Sequence, residues 1–79
     1  MPRRSTKKKL YLLDDNHNSF RHVIFCLSNL IPDYNVIRAE QVAQITHYNG
    51  RGCIMTGTES ELMRYYIALR KKDLCVELI

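Results

Sequence analysis

Residues 52–61 read GCIMTGTESE and place a short strand directly before a helix. The uncharged residues 53–56 lie between Gly52 and Gly57, a pattern typical of a strand bounded by turns. Thr58 and Glu61 then form a capping box, in which each side chain accepts a hydrogen bond from a backbone N–H that the helix leaves unpaired. The sequence therefore predicts a strand at 53–56 and a helix that begins just after Thr58.

The elements on either side of this stretch follow from hydrophobic spacing. The helix after Thr58 carries an apolar stripe at helical intervals, and residues 74–79 alternate like a strand with one buried face. Upstream, residues 9–13 form an apolar strand that stops at Asp14-Asp15. Two helical stripes lie between the strands at 9–13 and 53–56. The first runs over 20–31 with Asn18 or Ser19 as its cap, and the second runs from Val36 to the stop at Gly50 with Asn35 as its cap.

This order of elements predicts an α+β fold. The predicted architecture is a two-layer α/β sandwich of order β-α-α-β-α-β, in which three helices cover one face of a three-stranded antiparallel sheet. A chain of 79 residues has room for one domain.

The charge is concentrated at the amino terminus. Five of the twelve basic residues lie in the first nine positions, although the net charge is +4. We expect residues 1–8 to be a basic flexible leader and residues 9–79 to be the core domain. The core is then nearly neutral, which argues against nucleic-acid binding through a basic surface.

Cysteines and apolar runs indicate the cellular setting. Three widely spaced cysteines make a disulfide framework improbable, and buried free thiols are the default expectation. The uncharged run 42–50 is too short and too polar to span a bilayer, and no long apolar region follows the basic start. We expect a cytoplasmic protein with no membrane partner.

The candidate chemistry lies in an acidic turn and one histidine. Asp14 and Asp15 follow the first strand, and His47 ends the second helix. Each has a plain structural interpretation, since acidic turns bind backbone N–H groups and a histidine favours the negative end of a helix dipole. No nucleophile–base pair, zinc spacing or phosphate loop accompanies them. The sequence predicts a binding module, with no catalytic residue, no metal and no cofactor.

Six short motifs follow one another in unbroken order between residues 9 and 78. They are Leu13-Asp14-Asp15, Asn18-Ser19-Phe20, Thr46-His47-Tyr48-Asn49-Gly50, Cys53, Thr56-Gly57-Thr58-Glu59 and Leu74-Cys75-Val76-Glu77. In this order and spacing the chain resembles the ClpS family of adaptors for Clp-type AAA+ proteases, which deliver proteins bearing N-terminal degradation signals.

The resemblance implies a role for three groups of residues. Asp14, Asp15 and His47 would bind the α-amino group of the N-terminal segment of a substrate protein. The apolar pocket for the first, large hydrophobic side chain would be lined by Phe20, Val23, Ala43 and Thr46. Glu59 and Arg64 would contact the N-terminal domain of a Clp-type AAA+ ATPase.

One position departs from the family pattern. Leu13 stands where the family has an asparagine whose side-chain oxygen also accepts from the amine. Losing a hydrogen bond to a charged group costs about 1.5–3 kcal/mol, roughly a ten- to hundredfold loss of affinity. Because the turn is one residue longer than in many relatives, Asn16 and Asn18 are candidates for supplying that oxygen.

Two other functions stay open at this stage. The substitution at Leu13 favours a divergent regulator that docks on the Clp ATPase without reading N-terminal signals. The basic leader with Arg70-Lys71-Lys72 offers a weaker nucleic-acid-binding alternative, whose affinity would fall steeply with salt.

Overall fold

A computed structural model of the protein describes residues 7–15 and 17–79. Its elements follow the predicted order and are, in chain order, β1 Lys8–Leu13, α1 Phe20–Leu30, α2 Val36–Asn49, β2 Arg51–Gly57, α3 Glu59–Lys71 and β3 Val76–Leu78. The three strands form one antiparallel sheet of order β2-β1-β3. The predicted α+β fold is confirmed.

The first strand is the centre of the sheet and carries its packing. Leu10 and Leu12 alternate with the less buried Tyr11 and Leu13, so every second side chain of β1 enters the core. Ile54 of β2 and Val76 of β3 are buried in the same core cluster as residues of all three helices. A register shift between Leu10 and Tyr11 bends the β1–β2 ladder.

The helix ends confirm the local signals in the sequence. Ser19, Asn35 and Thr58 each accept a hydrogen bond from the backbone N–H three residues further on, and Glu61 completes the capping box of α3. Gly50 ends α2 in the left-handed region at φ 90°, which glycine adopts without strain. These caps fix where α1 and α2 begin and end, and so fix the two helix ends that meet near β1.

Several strand boundaries differ from the sequence prediction: β2 runs over Arg51–Gly57 where 53–56 was predicted, and β3 ends at Leu78, one residue early. Lys8, assigned above to the leader, is the first residue of β1, because β2 extends to Gly57 and pairs with it. The leader prediction for residues 1–6 lies outside the described residues. At the other end, the N–H of Leu74 bonds to Leu69 O and closes the helix, so β3 begins only at Val76.

The expectation that all three cysteines are buried is wrong. All three are free, but only Cys26 is buried, whereas Cys53 and Cys75 are exposed. For Cys53 the reason is strand alternation, since it lies between the buried residues Gly52 and Ile54 and therefore points to the opposite face of the sheet. Cys75 lies just before β3 begins. None of the helices in the described part of the chain has the length and hydropathy needed to cross a bilayer.

Candidate functional site

A cavity of about 250 Å³ opens where the end of β1 meets the start of α1 and the last turns of α2. It brings together all seven residues to which the family resemblance gave a role in amine binding or in the apolar pocket. Its lining consists of Leu12, Leu13, Asp14, Asp15, Asn18, Ser19, Phe20, Val23, Ala43, Thr46 and His47.

Backbone pairing holds the acidic turn against the end of the second helix. The N–H of Asp14 donates to the carbonyl of Gly50 at 3.0 Å, one residue beyond the end of α2. The left-handed conformation of Gly50 turns the chain back toward β2, which pairs with β1 at Leu13. Asp14 and His47 are therefore neighbours although they are 33 positions apart in the sequence.

The polar mouth of the cavity consists of a carboxylate beside an imidazole. His47 Nδ1 lies 3.9 Å from Asp14 Oδ1, and their side chains are 57% and 42% exposed. The Phe20 ring packs edge-to-face against the His47 ring, with centroids 5.6 Å apart and an interplanar angle of 81°. This contact orients the imidazole and joins the polar mouth to the apolar wall.

Asp15 lines the same cavity but also holds its own turn together. Its Oδ1 accepts hydrogen bonds from the N–H groups of His17 and Asn18 at 2.7 and 2.8 Å. Burial raises the pKa of Asp15, but the hydrogen bonds from Asn18, His17 and Cys75 together outweigh burial, and the net pKa lies below its usual value. Asp15 is thus an ionised carboxylate that orders the turn between β1 and α1.

The inner wall of the cavity is apolar. Val23, Ala43 and Thr46 are buried, whereas Phe20 is 42% exposed at the rim. A Cβ placed on Gly52 would lie 2.6 Å from Thr46 Oγ1, so the Thr46 hydroxyl is directed toward β2. Among the described residues this hydroxyl has no hydrogen-bond partner.

Sequence patterns alone assigned no cavity position to Leu12 and Ser19. The sequence placed Leu12 in an apolar strand and left the cap of α1 open between Asn18 and Ser19; the structure buries Leu12 in the core and makes Ser19 the cap. Their place on the cavity wall depends on how β1 meets α1, which periodicity does not encode. Asn16, one of the two candidates for the missing oxygen, lies outside the described residues.

The docking residues named above lie apart from this cavity. Glu59 opens α3 and Arg64 follows at its second turn, and both side chains are exposed. Arg64 borders a second, open cavity of about 480 Å³ that shares no lining residue with the first. The two surfaces are therefore separate.

The mouth of the first cavity offers hydrogen-bond acceptors, and its interior offers apolar walls. Pockets for whole drug-sized ligands span about 300–1,000 Å³, so 250 Å³ suits a single side chain better than a cofactor. Across residues 7–15 and 17–79, no three His, Cys, Asp or Glu side chains are grouped so as to hold a metal ion. Fold and site together define a small α+β domain with an apolar cavity that has a polar mouth.

Comparison with known proteins gives the family. The family described as "ATP-dependent Clp protease adaptor protein ClpS" matches residues 3–74, and the chain belongs to this family. Three cyanobacterial proteins named ATP-dependent Clp protease adapter protein ClpS, from Thermosynechococcus vestitus, a Synechocystis species and a Nostoc species, are each 30% identical over 66 residues. The match covers 84% of this chain and 70%, 67% and 68% of those relatives.

Proposed function

We propose that this protein is a non-enzymatic adaptor that binds N-terminal degradation signals and delivers their bearers to a Clp-type AAA+ unfoldase. The observation that carries the proposal is a cavity with an apolar interior whose mouth holds Asp14 and His47 only 3.9 Å apart. An N-terminal residue is the one part of a protein chain that joins a protonated amine to a side chain through a single carbon.

The mouth suits the protonated amine. An ammonium group has three donors and no acceptor, and the ionised carboxylate of Asp14 and an unprotonated ring nitrogen of His47 are both acceptors. Asp15 adds negative charge nearby and keeps the turn in place through its bonds to His17 and Asn18. The site therefore favours a cation next to an apolar group.

The interior suits a large apolar side chain. Burying such a side chain contributes about 1.5–3 kcal/mol, and the walls at Val23, Ala43 and Phe20 offer no charge to hold Glu or Lys. We expect first residues Phe, Leu, Tyr and Trp to bind and first residues Glu and Lys to bind poorly.

A peptide titration tests the substrate site. Peptides that differ only in the first residue are titrated by calorimetry, each with a free and an acetylated amino terminus. Acetylation should abolish binding, and Asp14→Ala should weaken the free peptide about tenfold or more. Asp33→Asn, an exposed acid in the α1–α2 turn, is the matched control. Equal binding of free and acetylated peptides would disprove amine recognition.

Delivery requires a second contact, with the N-terminal domain of the Clp ATPase. Glu59 and Arg64 are exposed at the start of α3 and lie on a surface distinct from the cavity, so both contacts can form together. A binding assay with the isolated ATPase domain tests this contact, and charge reversal at Arg64 should remove it.

Leu13 supports a second candidate, a regulator that docks on the ATPase without reading N-terminal signals. Leu13 lines the cavity beside Asp14 and offers no acceptor for an amine. If the protein bound the ATPase domain but none of the free-amine peptides, this second function would replace the first.

A further inference from the structure

Asn18 occupies a distinctive place in the turn between β1 and α1. It is half-buried, lines the same cavity as Asp14 and His47, and directly precedes Ser19, the cap of α1. Its side chain bridges two segments of the chain, since Nδ2 donates to Asp73 O at 2.9 Å and to Asp15 Oδ2 at 3.2 Å.

These two partners fix the orientation of the Asn18 amide. A backbone carbonyl only accepts hydrogen bonds, and so does an ionised carboxylate, which Asp15 is. The nitrogen of the amide must therefore face Asp15 and Asp73, and the oxygen must point away from both. Every side-chain hydrogen bond that Asn18 makes within residues 7–15 and 17–79 uses Nδ2 as donor. Oδ1 is left as an acceptor on a residue of the cavity wall.

The proposed ligand needs one more acceptor at this place. The three N–H bonds of an ammonium group diverge, so well-aligned hydrogen bonds require acceptors in three directions. Asp14 and His47 provide two. The oxygens of Asp15 already accept from the N–H groups of His17 and Asn18 and from Asn18 Nδ2, and Leu13 provides no acceptor. A donor left unpaired on binding would cost affinity, because its hydration is lost without replacement.

We infer that Asn18 Oδ1 is the third acceptor for the α-amine of the bound segment. The inference rests on the proposed function and names a binding residue within that site. Asn18 is held in advance by Asp15 and by Asp73, and the turn at Asp73 is itself tied to α1 where His22 Nε2 donates to Lys72 O at 3.0 Å. A preformed acceptor of this kind loses little conformational entropy on binding.

Four variants test the assignment by peptide titration. Asn18→Ala should weaken binding of a free-amine Phe peptide about tenfold or more, whereas Asn16→Ala in the same turn and Asn29→Ala on α1 should stay within about twofold of the unmodified protein. Leu13→Asn restores an amide on the cavity wall beside Asp14. It should recover most of the loss in the Asn18→Ala background and change the unmodified protein less than about twofold.

The outcomes separate this inference from the function on which it rests. If acetylated and free peptides bind the unmodified protein equally, amine recognition fails altogether. If acetylation abolishes binding but Asn18→Ala binds normally, or if Asn16→Ala produces the loss instead, only the assignment of Asn18 is wrong. An equal gain from Leu13→Asn in both backgrounds would also overturn it.

A measurement on the unmodified protein covers the case in which Asn18→Ala fails to fold. The ¹³C resonance of the Asn18 side-chain carbonyl should shift on titration with the free-amine peptide and stay in place with the acetylated one. A carbonyl resonance that ignores the free-amine peptide while the peptide binds would contradict the inference.

Discussion

Thr46 carries a buried hydroxyl that costs stability. Its side chain is 3% exposed, and Oγ1 has no hydrogen-bond partner within residues 7–15 and 17–79. A buried polar group without a partner pays its desolvation penalty in full. Thr46→Val keeps the shape and removes the hydroxyl, so we expect the free energy of unfolding to rise by about 1 kcal/mol.

Urea unfolding measures this change, and Thr56→Val provides the matched control. Thr56 is exposed on β2, where the same exchange should change stability by less than about 0.5 kcal/mol. A loss of stability in Thr46→Val would show that the hydroxyl has a partner that the geometry does not reveal.

Asp15 makes the stability of the turn depend on pH. Burial raises its folded-state pKa, but hydrogen bonds from Asn18, His17 and Cys75 together bring that pKa below the ordinary value of 3.8. A depressed carboxyl pKa contributes stability that is present above the unfolded pKa and is lost as pH falls through the folded pKa. Asp15→Asn should therefore destabilise the protein by about 1 kcal/mol or less at neutral pH, and the difference should vanish in acid.

Thermal unfolding across a pH series measures the Asp15 effect, with Asp33→Asn as the control. Asp33 is exposed in the α1–α2 turn, and its replacement should leave the pH profile unchanged. A difference between Asp15→Asn and the unmodified protein that is the same at pH 3 and pH 7 would refute the charge-based explanation.

Among the helices and strands, the sequence was enough to predict where helices start but not which strand residues pair. The caps Ser19, Asn35 and Thr58 depend on residues within three positions, so the helix starts were predictable. Lys8 joins β1 because Gly57, 49 positions further along the chain, pairs with it. Cys53 was expected to be buried and is exposed, because its face of β2 is set by the register with β1.

In the candidate site, too, the residues could be named from the sequence, but their geometry depends on tertiary contacts. Asp14 and His47 stood out singly in the sequence, but their joint role came from a family resemblance, since no spacing rule connects residues 33 positions apart. Their 3.9 Å separation depends on the bond between Asp14 N and Gly50 O, which is a tertiary contact. The orientation of the Asn18 amide likewise depends on Asp73, 55 positions away.

Gly52 sets the distance between α2 and β2, and so supports the inner wall of the cavity. A Cβ at this position would lie 2.6 Å from Thr46 Oγ1 and 3.2 Å from the backbone oxygen of Val42. Because a helix backbone cannot yield as a flexible side chain does, Gly52→Ala should cost about 2 kcal/mol of unfolding free energy. It should also weaken peptide binding by displacing the last turns of α2.

Gly57→Ala is the comparison for Gly52→Ala in chemical unfolding. At Gly57 the new Cβ first meets Oε1 of Glu61 at 2.8 Å, and its next contact lies at 3.6 Å. Only a side chain has to move there, at the expense of the capping-box bond between this oxygen and Thr58 N. The double variant Thr46→Ala/Gly52→Ala should regain part of the loss. If Gly57→Ala proved the more damaging change, close packing between α2 and β2 would not explain the glycine.

At the scale of the whole molecule, the fold separates two proposed contacts. The cavity lies where β1, α1 and α2 meet, whereas Glu59 and Arg64 lie on the first two turns of α3. The two cavities share no lining residue, and their elements pack on the common core of Leu10, Leu62 and their neighbours. In a domain of this size, an adaptor can thus hold a substrate and an ATPase without either one covering the other.

This separation predicts that the two contacts can be removed independently. Phe20→Ala deletes a rim ring that packs on His47 and should weaken peptide binding about tenfold, with ATPase-domain binding unchanged. Arg64→Glu should weaken ATPase-domain binding and leave peptide binding unchanged, and Lys71→Glu at the far end of α3 should alter neither.

Phe20→Ala alone or Arg64→Glu alone should stop degradation of a reporter that begins with Phe in a reconstituted Clp reaction, because delivery needs both contacts at once. The losses of binding free energy from Phe20→Ala and Arg64→Glu should add in the double variant, since the sites do not touch. A strong interaction between the two changes would mean that substrate and ATPase share one surface.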